Sequence, residues 1–375
     1  MSFRSIAILL LGATAVTASP LGVVRADDLP ARAIAESDPS KYAAQPRVAH
    51  YLQYFTHAGR DRMGRWLERG APYLPMIRDR LASCDLPEDL RFLPLIESGF
   101  ANGAVSRAGA VGMWQFMPAT ARRYGLRVDG LVDERRDPFK STDAAARHLR
   151  DLLDKFGSPF LAAAAYNAGA GPIERGLNRL YDDSAGDSAF FRLSDASMIA
   201  RETSDYVPQF LAASIIARDP EMYGFRSSSD TTGFPAFDSV IVAKPVRLST
   251  AARLAGISER VVSNLNPQYV RGITPDRSHS MIRFPAGSVG AGLADAIARL
   301  PPESPPPIHL LSSVGSASGR PVRAAAVRHV IVHAGDTPHG IAERFGVSEA
   351  ELRRLNVLPR NMTIRPGQIL RLPEG

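Results

Sequence analysis

One carboxylate in this chain sits where a charge is poorly hydrated. Glu97 follows the apolar run Leu93-Pro94-Leu95-Ile96 and precedes Ser98-Gly99-Phe100. A carboxyl at the end of an apolar helix is desolvated, which favours its protonated form. Such a group is a general acid near neutral pH, and a base once its proton is gone. Downstream come Ser106, a small-residue turn with Gly109, Ala110 and Gly112, and then Trp114-Gln115-Phe116-Met117-Pro118. Small residues allow bare backbone to approach whatever the acid touches. Later, Tyr166-Asn167 ends an alanine-rich stretch, and Tyr206 stands in Glu202-Thr203-Ser204-Asp205-Tyr206-Val207-Pro208. Taken singly, Glu97 also suits an ordinary helix terminus, and Asn167 a left-handed helix cap.

Taken in order, the four motifs Glu97–Phe100, Ser106–Pro118, Ala165–Gly169 and Glu202–Pro208 resemble the lysozyme-like catalytic domain of the lytic transglycosylases, and the Trp114–Pro118 variant and the C-terminal segments are most similar to the membrane-bound lytic transglycosylase D group. The resemblance implies cleavage of the β-1,4 bond between N-acetylmuramic acid and N-acetylglucosamine in peptidoglycan, with Glu97 as acid and then base. It implies that Ser106 and Gln115 hold the substrate acetamido group and Glu97. Tyr166 and Asn167 would form a sugar-binding wall, and Tyr206 would lie close to Glu97. No cofactor and no metal enter this chemistry.

Glycosidases commonly use two carboxylates. Asp129, Asp133, Glu134 and Asp137 are the candidates for a second, but none has an apolar frame like that of Glu97. Asp133–Asp137 alternates with Arg135-Arg136 and reads as a solvated salt-bridge loop. The residues favour a one-carboxylate mechanism, and the resemblance implies the same, with the muramyl C6 hydroxyl attacking C1 to leave a 1,6-anhydro ring. Two alternatives stay open: a hydrolase of goose-type lysozyme kind, and a non-catalytic glycan-binding scaffold.

The elements that must carry these residues are mainly helical. Helical spacing over 50–80 predicts helices bracing the catalytic domain. Glu88 and Asp89 suit a first turn after Pro87, and Pro94, with no N–H, predicts a kink or restart just before Glu97. Asp137-Pro138 and Gly157 bound a long helix with Ala145, Leu149, Leu152 and Phe156 on one face. An alanine-rich helix at Phe160–Tyr166 permits close packing, and Arg201–Ala217 is the last helix of the domain. No alternating strand pattern occurs from 50 to 225.

The predicted architecture is therefore a mainly α, lysozyme-like catalytic domain at 81–225, preceded by a leader and bracing helices at 27–80. Small α+β (βααβ) modules of LysM type follow. The pattern strand, two short helices, strand occurs at 233–290 in degenerate form. It recurs at 327–375 around Gly335-Asp336-Thr337, after a Pro/Ser/Gly-rich linker at 300–326. The second copy resembles a LysM module, which binds N-acetylglucosamine polymers, but has Pro338-His339 where the family carries Leu-Trp or Leu-Tyr. An interaction or folding role is expected of the first copy.

Arg4, the apolar Ile6–Val16 and the small residues after it predict a signal peptide at 1–26, cut after Ala26 or Ala18. The expected location is the periplasm or cell envelope, with peptidoglycan strands as partner and peripheral association with membrane or other cell-wall enzymes. The net charge of +7 over 375 residues suits an anionic polymer, but no basic helix interleaved with aromatics points to nucleic acid. The single cysteine, Cys84, excludes an internal disulfide and reads as a small buried hydrophobe.

Overall fold

The computed structural model describes residues 38–180, 186–226, 234–276, 279–304, 328–332, 336–345, 347–356, 364 and 369–372. The signal peptide, residues 27–37 of the leader, and the stretch from 305 to 327 lie outside the described residues. The chain divides into two compact units, Met1–Pro307 and Ile308–Gly375.

The first unit opens with α1 (Pro46–Thr56), α2 (Arg60–Gly70) and α3 (Leu74–Ala82). A 3-10 turn at Glu88–Phe92 then gives way to α4 (Leu93–Ser98), with Pro94 in its first turn. The missing proline N–H falls where a helix has no partner for it, so the chain restarts as expected. A loop and α5 (Pro118–Arg123) lead to α6 (Pro138–Phe156). Asp137 caps α6 by accepting from the Phe139 and Lys140 N–H groups, and Gly157 closes it at φ 63°. Next come α7 (Pro159–Ala168), α8 (Ala170–Arg179), α9 (Asp187–Asp195) and α10 (Arg201–Arg218).

The core runs through α4, α6, α7 and α10. Ala162, Ala163, Ala164 and Ala165 of α7 are buried, so its backbone packs closely on its neighbours. Its cap, Ser158, accepts from the Leu161 N–H and donates its hydroxyl to Asp187. Pro208 lies inside α10 and cannot donate to the Ser204 carbonyl four residues earlier. The Arg47 side chain from α1 donates to that carbonyl, at 3.4 Å, and to the Ser194 hydroxyl. The bracing helix thus satisfies a group that the proline leaves open.

The same unit continues with β1 (Phe237–Val242), α11 (Leu248–Leu254), α12 (Glu259–Leu265), β2 (Ser280–Pro285) and α13 (Leu293–Arg299). The strands pair antiparallel, Phe237 with Pro285 through Val242 with Ser280. Their apolar core contains Val240, Val262, Ile282 and Phe284, and takes in Val132 from the helical part. Glu303 accepts from the Arg247 N–H and the Thr250 hydroxyl, tying residues 301–304 to the start of α11.

In the second unit β3 (Arg328–Ile331) and β4 (Ile369–Leu372) pair antiparallel, with α14 (Pro338–Phe345) and α15 (Glu349–Asn356) between them. Val330, Ile341, Leu352 and Leu370 form its core. Both modules have the βααβ plan that the residue pattern predicts.

Candidate active site

Glu97 lies one residue from the end of α4, and the chain then leaves through Gly99 at φ 58°. A Cβ at Gly99 would lie 2.0 Å from Trp66 of α2, so both the conformation and the space demand glycine. Phe100 follows with a positive φ and is buried against the core. The sharp exit turns the α4 terminus toward the loop 104–116. Ser98 fixes the two together by donating its hydroxyl to the Met113 carbonyl at 2.8 Å.

The Glu97 carboxyl accepts a 2.6 Å hydrogen bond from the Tyr206 hydroxyl of α10. Burial raises its pKa to about 7; the Tyr206 bond pulls in the opposite direction, and the charge of Glu202 adds to the rise. Glu97 nonetheless keeps partial solvent exposure. It is therefore half-buried rather than sealed in the core. Tyr166 and Tyr206 are both held well above the usual phenol pKa, first by burial and then by the nearby Glu97 charge. Both phenols thus stay neutral and can donate hydrogen bonds.

Tyr166, on α7, donates to the Trp114 carbonyl at 2.8 Å. Trp114 is fully buried, with its indole N–H on the Thr142 hydroxyl of α6. Asn167 is helical rather than a left-handed cap, and the helix ends at Gly169, whose φ of 81° and ψ of 156° lie outside the left-handed helical region and turn the chain from α7 into α8. The Asn167 side-chain oxygen accepts from the Thr203 hydroxyl at 3.0 Å. Tyr166 and Asn167 also border a cleft of about 790 Å³ together with Met117, Arg123, His148 and Lys155.

Ser106 and Gln115 sit on the loop and bond its own backbone. The Ser106 hydroxyl accepts from the Ala110 N–H, and the Gln115 amide donates to the Gly112 carbonyl at 2.7 Å. The structure thus gathers Glu97, Tyr206 and Tyr166 closely, links Asn167 through Thr203, and uses Ser106 and Gln115 to shape the loop beside them.

Thr203, Ser98, Trp66 and Glu202 complete the surroundings and were not singled out from the sequence. Ser98, Glu202 and Thr203 do stand inside the motifs, but the bonds of Ser98 to Met113 and of Thr203 to Asn167, and the reach of the Glu202 charge to Glu97, join positions whose spacing in the sequence does not show them to be neighbours. The reading of 133–137 as solvated is corrected. Asp133, Arg135 and Asp137 are buried, because β2 and the segment before it cover them. Among the described residues no group of three or more His, Cys, Asp or Glu gathers as a metal site. No described helix is long and apolar enough to cross a membrane.

Residues 79–187 match the family described as the transglycosylase SLT domain. This stretch of the chain is an SLT domain. Tyr206 and Thr203, both on α10, lie beyond the matched residues. Residues 236–292 match the LysM-like domain of lytic transglycosylase MltD, and 330–373 the LysM domain.

Among curated proteins, membrane-bound lytic murein transglycosylase D of Escherichia coli K12 is 32% identical over 320 residues, 82% of this chain and 64% of the relative. The chain thus spans just under two thirds of that relative's length. Peptidoglycan transglycosylase gp16 of Escherichia phage T7 is 39% identical over 139 residues, 36% of this chain and 10% of the relative. The solved 70 kDa soluble lytic transglycosylase of Escherichia coli aligns over 52% of this chain and 34% of its own, at 19% identity and a TM-score of 0.34. The SLT assignment rests on the sequence matches.

Proposed function

We propose that this chain is a peptidoglycan lytic transglycosylase that cuts the β-1,4 bond between N-acetylmuramic acid and N-acetylglucosamine without consuming water. The observation that carries the reading is the half-buried Glu97 carboxyl of the SLT domain, bonded by the Tyr206 hydroxyl at 2.6 Å and with its pKa raised to about 7. A carboxyl poised near neutrality suits a group that must first give and then take a proton. Glu97 protonates the bridging oxygen, the bond to the muramyl C1 breaks, and the N-acetylglucosamine side leaves as an alcohol. The substrate 2-acetamido group stabilises C1. The Glu97 carboxylate, held by the Tyr206 hydroxyl, then takes the proton of the C6 hydroxyl as that oxygen bonds C1. The proton count closes and a 1,6-anhydro ring remains.

In this reading Tyr166 and Asn167 line the sugar path, Ser106 and Gln115 shape the loop over the acetamido group, and Tyr206 orients Glu97. The one-carboxylate form is supported by the fate of the other candidates. Asp133 is bonded to Arg135, Asp137 to Arg283, Glu134 to Lys140 and the Arg127 N–H, and Asp129 to Arg127 and two backbone N–H groups. A hydrolytic alternative finds its support in Glu202, an exposed carboxylate whose charge reaches Glu97. The final LysM module at 327–375 tethers the enzyme to the cell wall, and the chain works in the envelope after secretion. Glu97→Gln keeps the shape of the side chain but cannot deliver a proton. It should lower release of muropeptides from sacculi by ~10²–10⁴-fold. A folded variant with wild-type turnover would remove Glu97 from the reaction.

A further inference from the structure

The loop 128–137 leaves the SLT domain and is held by the LysM-like module. Leu131 packs against the module's core and Val132 is buried within it. The Asp133 N–H donates to the Gln268 carbonyl at 2.9 Å, the Val270 N–H donates to the Leu131 carbonyl at 3.2 Å, and Val132 bridges with Tyr269. Arg283 of β2 donates to the Asp137 carboxylate at 2.7 Å, with the two side chains 6% and 0% exposed. Its guanidinium lies over the rings of Phe139 and Phe237, 4.9 and 5.4 Å from their centres.

On its inner side the same loop carries Arg135. Its Nε and Nη2 engage both oxygens of Asp133 at 2.8 and 2.9 Å. The remaining Nη1 donates to the Gly109 and Phe116 carbonyls, at 3.0 Å each. Those carbonyls bracket the turn that carries Gln115, and Gly112 within the turn lies directly against the Arg135 carbonyl. A rigid planar fork anchored to Asp133 has both Nη1 hydrogens satisfied only while both carbonyls stay in place. The module thus holds the 128–137 loop by backbone bonds, apolar packing and the Arg283–Asp137 pair, and the same loop holds the 109–116 turn through Arg135.

We propose that the LysM-like module serves as part of the catalytic scaffold: Arg283 and the seated Val132 fix the 128–137 loop, and through Arg135 that loop sets the position of loop 104–116 beside Glu97. Arg283 and Arg135 are positioning residues. The proposal rests on the reaction assigned to Glu97 above. It gives the module a role distinct from glycan capture: without it a glycine-rich loop would be held from one side only. A 1 Å misplacement near reacting groups can lower turnover ~10²-fold.

The test compares the full-length protein with Arg283→Met, Arg283→Lys and Arg135→Lys. Hydrogen exchange is followed in peptides covering 104–116 and, as internal reference, 144–153 of α6. The values of kcat and KM are measured on soluble glycan strands. In Arg283→Met and Arg135→Lys the 104–116 amides should exchange faster while α6 is unchanged. In both, kcat should fall on the order of 10²-fold with a smaller change in KM. Arg283→Lys, which keeps the charge beside Asp137, should recover much of both. Loop exchange and kcat equal to wild type would overturn the proposal. So would equal acceleration of loop and α6, which marks general destabilisation. If Arg283→Met does not fold, Arg135→Lys decides alone, since it leaves the Arg283–Asp137 pair intact. A wild-type protein inactive on every peptidoglycan substrate would defeat the transglycosylase reading only, because the exchange comparison needs no turnover.

Discussion

The Tyr206 hydroxyl and the Glu97 carboxyl make the pair on which the pH behaviour depends. Burial raises the pKa of Glu97 to about 7, and the Tyr206 hydrogen bond acts against that rise by stabilising the carboxylate. In the proposed reaction Glu97 acts as general acid in its protonated form, so kcat/KM should fall as pH rises through about 7. Tyr206→Phe removes the donor, the carboxylate loses support, and the alkaline limb should move to higher pH while the maximum rate drops. A pH–rate series on the two proteins checks this; a limb that stays fixed or moves down would show that Tyr206 does not stabilise the ionised acid. Glu97 was legible from sequence because its signal is local: an acid at the end of an apolar run, with a helix restart at Pro94 and an exit at Gly99. Tyr166, Asn167 and Tyr206 were legible only through motif order. Nothing in the spacing of 97 and 206 predicts a 2.6 Å contact between them.

At the scale of elements, loop 104–116 depends on backbone shape. Gly112 has φ 88°, and a Cβ there would lie 1.9 Å from the Arg135 carbonyl oxygen. Gly109 has the same φ but open space around its Cβ direction. Gly109→Ala should therefore cost only backbone strain, about 1–3 kcal/mol. Gly112→Ala adds steric overlap with fixed backbone, so it should lower the melting temperature further and reduce kcat, because Gln115 lies three residues on. Equal thermal shifts for the two variants would contradict the packing of Arg135 on this turn. Helix limits were largely readable, since Asp137-Pro138 and Gly157 carry their own capping chemistry. The environment of 133–137 was not. Alternating charges say nothing about what covers them, and here the cover comes from Arg283, 146 residues from Asp137.

At the scale of the whole chain, the two βααβ modules share a plan and differ in attachment. The first is fastened to the SLT domain by buried polar contacts and a common apolar core, while the last forms its own compact unit. Both plans were legible from strand and turn patterns; the fastening was not, since it depends on long-range pairs. Deleting 327–375 should weaken retention on insoluble sacculi and leave turnover of short soluble strands unchanged, as expected of a module that raises local concentration. A pull-down with sacculi beside a soluble assay checks this, and equal retention would deny the module its tethering role. The central claim is that the attacking oxygen is the substrate's own C6 hydroxyl, an intramolecular nucleophile favoured by effective molarity. The direct measurement is mass spectrometry of muropeptides released from sacculi by the purified protein, before and after borohydride reduction. The account predicts muramyl ends lighter by one water than lysozyme products and resistant to reduction. Predominantly reducible ends, with the mass of the hydrolysed sugar, would contradict it and make the enzyme a hydrolase.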